Sequence, residues 1–187
     1  MSSHHIVREK QEPALLIIDP TGFDPENLGQ LLEWSPTVLV SDDAVDYVES
    51  LGIKIDFMIT GKEMALQPAT RLIPTESDVL GDGLKYLVGE QYPSVNIIDT
   101  SFKLKDYALY ADKINLVIYT PKLKIFPVTS GFSKWKQSGE TIHLLSEISE
   151  LKSTGLKPVN ESIFETEKDG FYSLVFNQIL AFIAEEI

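Results

Sequence analysis

The sequence predicts an α/β protein in two parts. The first is an N-terminal Rossmann-like parallel sheet with helices, and the second is a C-terminal antiparallel β-sandwich or barrel. Three observations carry this reading. Short, wholly apolar runs such as Leu15-Leu16-Ile17-Ile18 and Val38-Leu39-Val40 have the character of strands covered on both faces. Amphipathic, helix-spaced segments separate those runs through the first hundred residues, the alternation of a parallel sheet. Past Asp106 the pattern turns to short strands with turn pairs at close spacing.

Taken in order, Ala14 to Asp19 is the first predicted strand. Asp24-Pro25 then opens a helix to about Trp34, with aspartate as cap, proline in the first turn, and Leu28, Leu31 and Leu32 inward. Val38 to Val40 is the second strand and ends on Ser41-Asp42-Asp43. A short helix follows with Ala44, Val45, Val48 and Leu51 as its apolar stripe, stopped by Gly52. Asp56 to Ile59 re-enters the sheet, and Thr70 to Pro74 forms a further strand. The segment through Leu80, Leu84 and Leu87 predicts a helix, although Gly81 and Gly83 each cost about 1 kcal/mol relative to alanine. Val95 to Asp99 closes the parallel part, and Tyr107 to Ala111 reads as a last short helix.

The second part begins with Ile114 to Tyr119 and Leu123 to Val128. Strands around Trp135, Thr141–Leu145, Ile148–Leu151, Ser162–Glu165, Phe171–Phe176 and Ile179–Ile183 come next. Asp169-Gly170 and Asn177-Gln178 sit where hairpin turns are expected. The boundary falls between Ala111 and Lys122, giving domains of 1–115 and 116–187.

Sixteen basic and twenty-eight acidic side chains in 187 residues give a net charge of −12. A field of that sign repels phosphate backbones and anionic lipid, so neither nucleic acid nor a membrane is an expected partner. A nucleotide remains accessible through a metal ion bridging carboxylates to phosphates. There is no cysteine, which excludes disulfides and thiolate chemistry and suits a reducing cytoplasm. The polar start, Met1 to Lys10, lacks the pattern of a signal peptide, and the apolar run Leu174–Ala184 is too short for a bilayer. Cytoplasmic localisation is the expectation.

Asp42 draws attention because it stands at the carboxyl end of a buried strand, where ligands bind in open α/β sheets. The plainer reading makes it the cap of the following helix. His143 lies between apolar strand neighbours, His4 and His5 stand in the polar start, and no Ser/His/Asp spacing suggests a nucleophile. Gly81-Asp82-Gly83 lacks the preceding strand of a dinucleotide loop. Trp135 either packs at a sheet edge or stacks on an aromatic ligand.

In this order of parts the chain resembles the thiamine pyrophosphokinase family. Ser41-Asp42-Asp43-Ala44-Val45 takes the place of that family's DGGAN turn and keeps only its first aspartate, Asp42. Leu51-Gly52-Ile53-Lys54-Ile55-Asp56-Phe57-Met58-Ile59 follows the pattern LGI-PD-II, with Ile55 for proline. The family's next stretch, GDFDS, reads Thr60-Gly61-Lys62-Glu63-Met64, so that its first aspartate has become Gly61 and its second Glu63. The motif KDxTD retains Asp78 alone, and no GRxDH segment comes after Ile98. Later, Ile142-His143-Leu144-Leu145 resembles SLLP, and Gly155-Leu156-Lys157-Pro158-Val159 resembles GLKYPL.

The resemblance implies transfer of pyrophosphate from ATP to thiamine, with magnesium, at the interface of a homodimer. It implies Asp42, Glu63 and Asp78 as catalytic residues, and Asp42, Asp56, Glu63 and Asp78 as metal ligands. Asp43, Lys62 and Trp135 would bind cofactor. Lys62 either serves phosphate as a point charge or neutralises the acids in place of the metal. The altered acids imply that transfer is weakened or lost, because a carboxylate misplaced by about 1 Å can cost about 10²-fold in rate. The alternatives are a non-catalytic thiamine- or nucleotide-sensing homodimer and a structural protein without a ligand.

Overall fold

The structure, a computed structural model, describes residues 10, 12–62, 67–75 and 78–187. The chain divides into two compact units, one reaching Leu116 and the other running from Val117 to Ile187.

The first unit is built on five strands. Strand β1 (Ala14–Asp19) leads through helix α1 (Pro25–Leu32) to β2 (Val38–Ser41), and helix α2 (Val45–Ser50) leads to β3 (Phe57–Thr60). Then come β4 (Arg71–Pro74), helix α3 (Val79–Gly89), β5 (Ser94–Asp99) and the short helix α4 (Leu104–Ala108). All pairings among the five are parallel, in the order β5-β1-β2-β3-β4. Leu15, Leu16, Ile17, Leu39, Val40 and Ile59 are fully buried, as both-sided coverage requires. The winding runs outward from β1 to β4 and then returns to place β5 on the other side of β1. The crevice between β1 and β5 is therefore the topological switch point.

Helix α1 starts as its sequence predicts. Asp24 accepts the amides of Glu26 at 2.7 Å and Asn27 at 3.4 Å, with Pro25 in the first turn. Helix α2 does not. Its cap is Ala44, without a side-chain hydrogen bond, so Asp42 is no cap; and Leu51, expected inward, is exposed. The glycines of α3, counted as weaknesses in the sequence, have structural reasons. A Cβ on Gly83 would stand 2.7 Å from Ile59 Cδ1, so the glycine sets how closely α3 lies on the sheet. A Cβ on Gly81 would meet the Asp78 carboxylate at 2.0 Å.

The second unit holds two antiparallel sheets. One contains, in order, β11 (Leu156–Pro158), β12 (Ile163–Thr166), β9 (Thr141–Leu144), β14 (Ala181–Glu186), β7 (Leu123–Val128) and β6 (Asn115–Tyr119), the last straddling the boundary. The other is β10 (Lys152–Thr154), β13 (Gly170–Val175) and β8 (Phe132–Lys136). Ile142, Phe164 and Ile183 from the first sheet share a core with Tyr172 and Leu174 from the second.

The second unit departs from the sequence expectation at two places. Asp169-Gly170 and Asn177-Gln178 do turn the chain, but not as hairpins. β12 pairs with β9 and β11, β13 with β8 and β10, and β14 with β7 and β9, so each turn carries the chain from one sheet to the other. Ile148–Leu151 is a turn and not a strand, with Leu151 packed against the core ahead of β10.

Candidate functional site

Three strands of the first unit end on an acid or reach one in the next residue. Each apolar run is covered by helices until it emerges at the carboxyl edge, and there a polar side chain becomes tolerable. Asp19 ends β1, Asp42 follows β2, and Asp99 ends β5. The edge also carries Ser41 and Thr60, both buried and satisfied; Ser41 donates its hydroxyl to the Ile18 carbonyl at 2.7 Å.

Asp42 sits level with Thr60, because β2 and β3 pair Ser41 with Ile59. Its carboxylate meets the Lys62 ammonium at 2.8 Å and accepts the Thr60 hydroxyl at 3.3 Å. The Lys62 amide in turn donates to the Thr60 oxygen at 3.0 Å, which holds the start of the loop after β3 against the edge. The Asp42 side chain is 11% exposed and that of Lys62 is 70%. The bond to Lys62 holds the Asp42 carboxyl below the usual carboxylate range, against the opposing effect of burial, and raises the Lys62 ammonium in return. Asp42 is thus a stabilised anion and a poor proton acceptor.

Beside it, Asp43 and Tyr47 line a cavity of about 640 Å³ together with Asp19, Thr21, Phe23 and Ser101. This cavity opens at the β1/β5 switch point. Asp19 accepts the Thr21 amide at 3.0 Å and the hydroxyl of Thr100, and that hydroxyl is the main reason its carboxyl is also held low. Asp99 is buried and accepts from Tyr107 at 2.5 Å and from the Ser101 amide and hydroxyl at 2.9 and 2.8 Å. Burial and the Asp99 carboxylate both push the Tyr107 phenol well above its ordinary value, so it stays a donor.

The other sequence-derived candidates separate. Asp78 caps α3, accepting the Gly81 amide at 2.9 Å. Asp56 is at the wrong end of the sheet to join Asp42. It precedes β3, accepts the Val38 amide at 3.1 Å and pairs with Lys54 at 2.5 Å. Level with Val38, it is four residues of about 3.3 Å from Asp42, about 13 Å along the strands, too far to share one ion. Glu63 lies outside the described residues. Trp135 belongs to the second unit, on β8, directly opposite Phe171 of β13, and is half exposed.

A magnesium site needs several oxygen donors converging on one point. Among the described residues no group of three acidic or histidine side chains is so placed; of the two matched acids past strand ends, Asp42 already holds an ammonium and Asp78 is engaged as the cap of α3. The donor set of the described residues does not fit the metal. Gly61 adds a steric reason. A Cβ at Gly61 would stand 2.4 Å from the Thr75 carbonyl oxygen, so the backbone has closed over the position where the resembling family carries an aspartate.

Sequence reasoning weighed only Asp42 among the strand-end acids, although Asp19 and Asp99 carry the same signal of an apolar run ending on aspartate. Ser101 and Tyr47 had no signal of their own, since only the fold brings them to the cavity.

No protein-family profile and no curated protein matches the chain by sequence. Solved structures do match in fold. The thiamin pyrophosphokinase of Geobacillus thermodenitrificans superposes with a TM-score of 0.71 at 12% identity, over 93% of this chain and 97% of that one. The thiamine pyrophosphokinase of Bacillus subtilis gives 0.69 at 15% identity, over 92% and 98%. That of Candida albicans gives 0.66 at 11% identity, over 95% and 90%. At such identities the likeness speaks for architecture alone, and the chain has the fold of the thiamin pyrophosphokinases.

Proposed function

We propose that the chain is a divergent member of the thiamine pyrophosphokinase family that binds ATP and thiamine at the carboxyl edge of its parallel sheet and transfers pyrophosphate slowly. In that reaction the thiamine hydroxyl oxygen forms a bond to the β-phosphorus of ATP, the bond from that phosphorus to the α-phosphate oxygen breaks, and AMP leaves with the electron pair. The observation that supports the reading is a fold likeness over more than nine-tenths of the chain, combined with Asp42 at the strand end the resemblance singles out.

The residues support binding better than fast turnover. The Lys62 ammonium is exposed at its tip and can swing from Asp42 to a phosphate oxygen as a compact point charge. It supplies one positive charge where the resembling enzymes use a metal ion. The hydroxyl proton of thiamine would need an acceptor, and an aspartate held low by an ammonium accepts it poorly. Transfer is therefore slow, and magnesium assists it little. The same reading makes the protein a cytoplasmic homodimer, which light scattering tests; a monomeric mass would contradict it.

The test is calorimetry with ATP, with and without magnesium, then with thiamine, followed by detection of AMP. The expected result is ATP binding that changes little with magnesium, and AMP release that requires thiamine. Absence of heat with both ligands would overturn the proposal.

A further inference from the structure

A cavity of about 980 Å³ lies at the opposite, amino edge of the parallel sheet, within the range of small-molecule sites. Its floor is formed by the first residues of β2, β3 and β4, and its wall by Tyr86 and by Tyr92 beyond the end of α3. The rings of Phe57 and Tyr86 pack with centroids 4.8 Å apart, and the Arg71 guanidinium lies over the Phe57 ring at 5.8 Å.

The three cations lining this cavity are not equivalent. Lys10 lies over the Tyr92 ring at 4.9 Å and is neutralised by the Glu90 carboxylate at 3.1 Å. Lys54 is neutralised by Asp56 at 2.5 Å. Arg71 has neither a carboxylate nor a side-chain hydrogen bond among the described residues, although β-strand pairing fixes its backbone opposite Phe57. A guanidinium stacked on a ring keeps its edge free and presents parallel N–H donors that match a carboxylate.

We infer that this cavity is a binding site for an aromatic monocarboxylate, its carboxylate on the edge of Arg71 and its ring against Phe57, Tyr86 and the apolar wall. The charge count selects a monoanion. Lys10, Lys54 and Arg71 are balanced by Glu12, Asp56 and Glu90 around the same cavity, so among the described residues a phosphate dianion meets three carboxylates with one uncommitted cation. The site is separate from the carboxyl edge and does not depend on the function proposed above.

The experiment is titration of the full chain with 1-naphthoate, followed by calorimetry and by amide chemical shifts. Saturable binding is expected, with shifts at Phe57, Arg71 and Tyr86. Arg71→Ala should weaken it about tenfold or more, the loss expected for a charge-assisted bidentate contact. Arg71→Gln, which keeps the stem over Phe57, should weaken it comparably and serves if the alanine variant melts early. 1-Naphthyl phosphate should bind more weakly, and Asp42→Ala and excess ATP should leave naphthoate binding unchanged. Non-saturable binding, an affinity in both Arg71 variants equal to that of the unsubstituted chain, or competition by ATP would each overturn the inference. Failure of ATP binding with naphthoate binding intact would count only against the carboxyl-edge proposal.

Discussion

Each unit contains a carboxylate paired with lysine, and the two are built for different ends. In the second unit Glu185 of β14 is 4% exposed and receives Lys134 at 2.6 Å, Lys136 at 3.3 Å and the Tyr172 hydroxyl at 3.3 Å. Lys136 also holds Glu140 at 2.6 Å, so the group is closed upon itself between the two sheets. Burial, with the Glu185 carboxylate second, keeps the Tyr172 phenol protonated far above its ordinary range. In the first unit Asp42 has one ammonium, on a side chain that is mostly in water, and one hydroxyl. A closed network has no bonding capacity left for a ligand. The Asp42–Lys62 pair is open on its lysine side, where the ammonium reaches water and can turn to a phosphate oxygen.

The largest expected effect breaks the closed side of this comparison. Glu185→Gln takes the carboxylate from Lys134 and leaves Lys136 with Glu140 alone. It should destabilise the protein by about 3 kcal/mol, the lower end for a broken buried pair because Lys134 is a third exposed and Lys136 keeps Glu140. Denaturant unfolding measures it, and a loss below about 1 kcal/mol would make the network no more than a surface pair.

Next comes an attempt to rebuild the acid that the open side lacks. Gly61→Asp drives a Cβ into the Thr75 carbonyl and should cost about 1–3 kcal/mol, as overpacking does, without creating magnesium-dependent ATP binding. Gain of such binding at unchanged stability would show that the loop yields easily. Asp42→Asn is smaller in stability, about 1 kcal/mol, because the Lys62 ammonium it releases is mostly in water and the amide keeps the shape of the half-hidden site. It frees Lys62, so ATP affinity measured without magnesium should rise rather than fall; a fall would mean that Asp42 orients the lysine and does not merely compete for it.

The smallest effect is on pH. Asp42 and Asp19 have carboxyls held lower in the folded protein than in the unfolded chain. Their contribution is present above the ordinary aspartate range and is lost as pH falls through the depressed folded values. Stability should therefore decline below about pH 4, and Asp42→Asn should flatten that limb slightly. Acid unfolding curves of the two proteins decide it, and superimposable limbs would remove the ion pair from the account.

The strands and most helices of the first unit were legible because each is specified locally. Ala14–Asp19 and Val38–Ser41 are apolar runs that only a covered strand accommodates, and Asp24-Pro25 is a helix start wherever it occurs. The Asp42 cap was misread because a cap depends on where the first helical turn begins, and α2 begins at Val45 with the aspartate already turned toward Lys62. Grouping Asp56 with Asp42 failed because Asp56 precedes its strand and Asp42 follows its own, and parallel pairing of β2 with β3 sets those two positions at opposite edges. Asp19 and Asp99 show the reverse, a local signal present but passed over.

The sequence by itself determined the alternation of strand and helix up to Asp99, the short-strand character of the chain beyond Asp106 and the acidic carboxyl edge. Each of these arises from periodicity and burial within a few residues. Tertiary structure alone decided that Asp169-Gly170 and Asn177-Gln178 cross between sheets, since hairpin and crossover use the same turn residues and differ only in which strand supplies the hydrogen bonds. It alone decided that Lys62 reaches Asp42, that Thr75 closes over Gly61, and that Arg71 lies over Phe57. These contacts join neighbouring strands and the loops that follow them, between residues whose separation exceeds any local periodicity, and no local pattern records them.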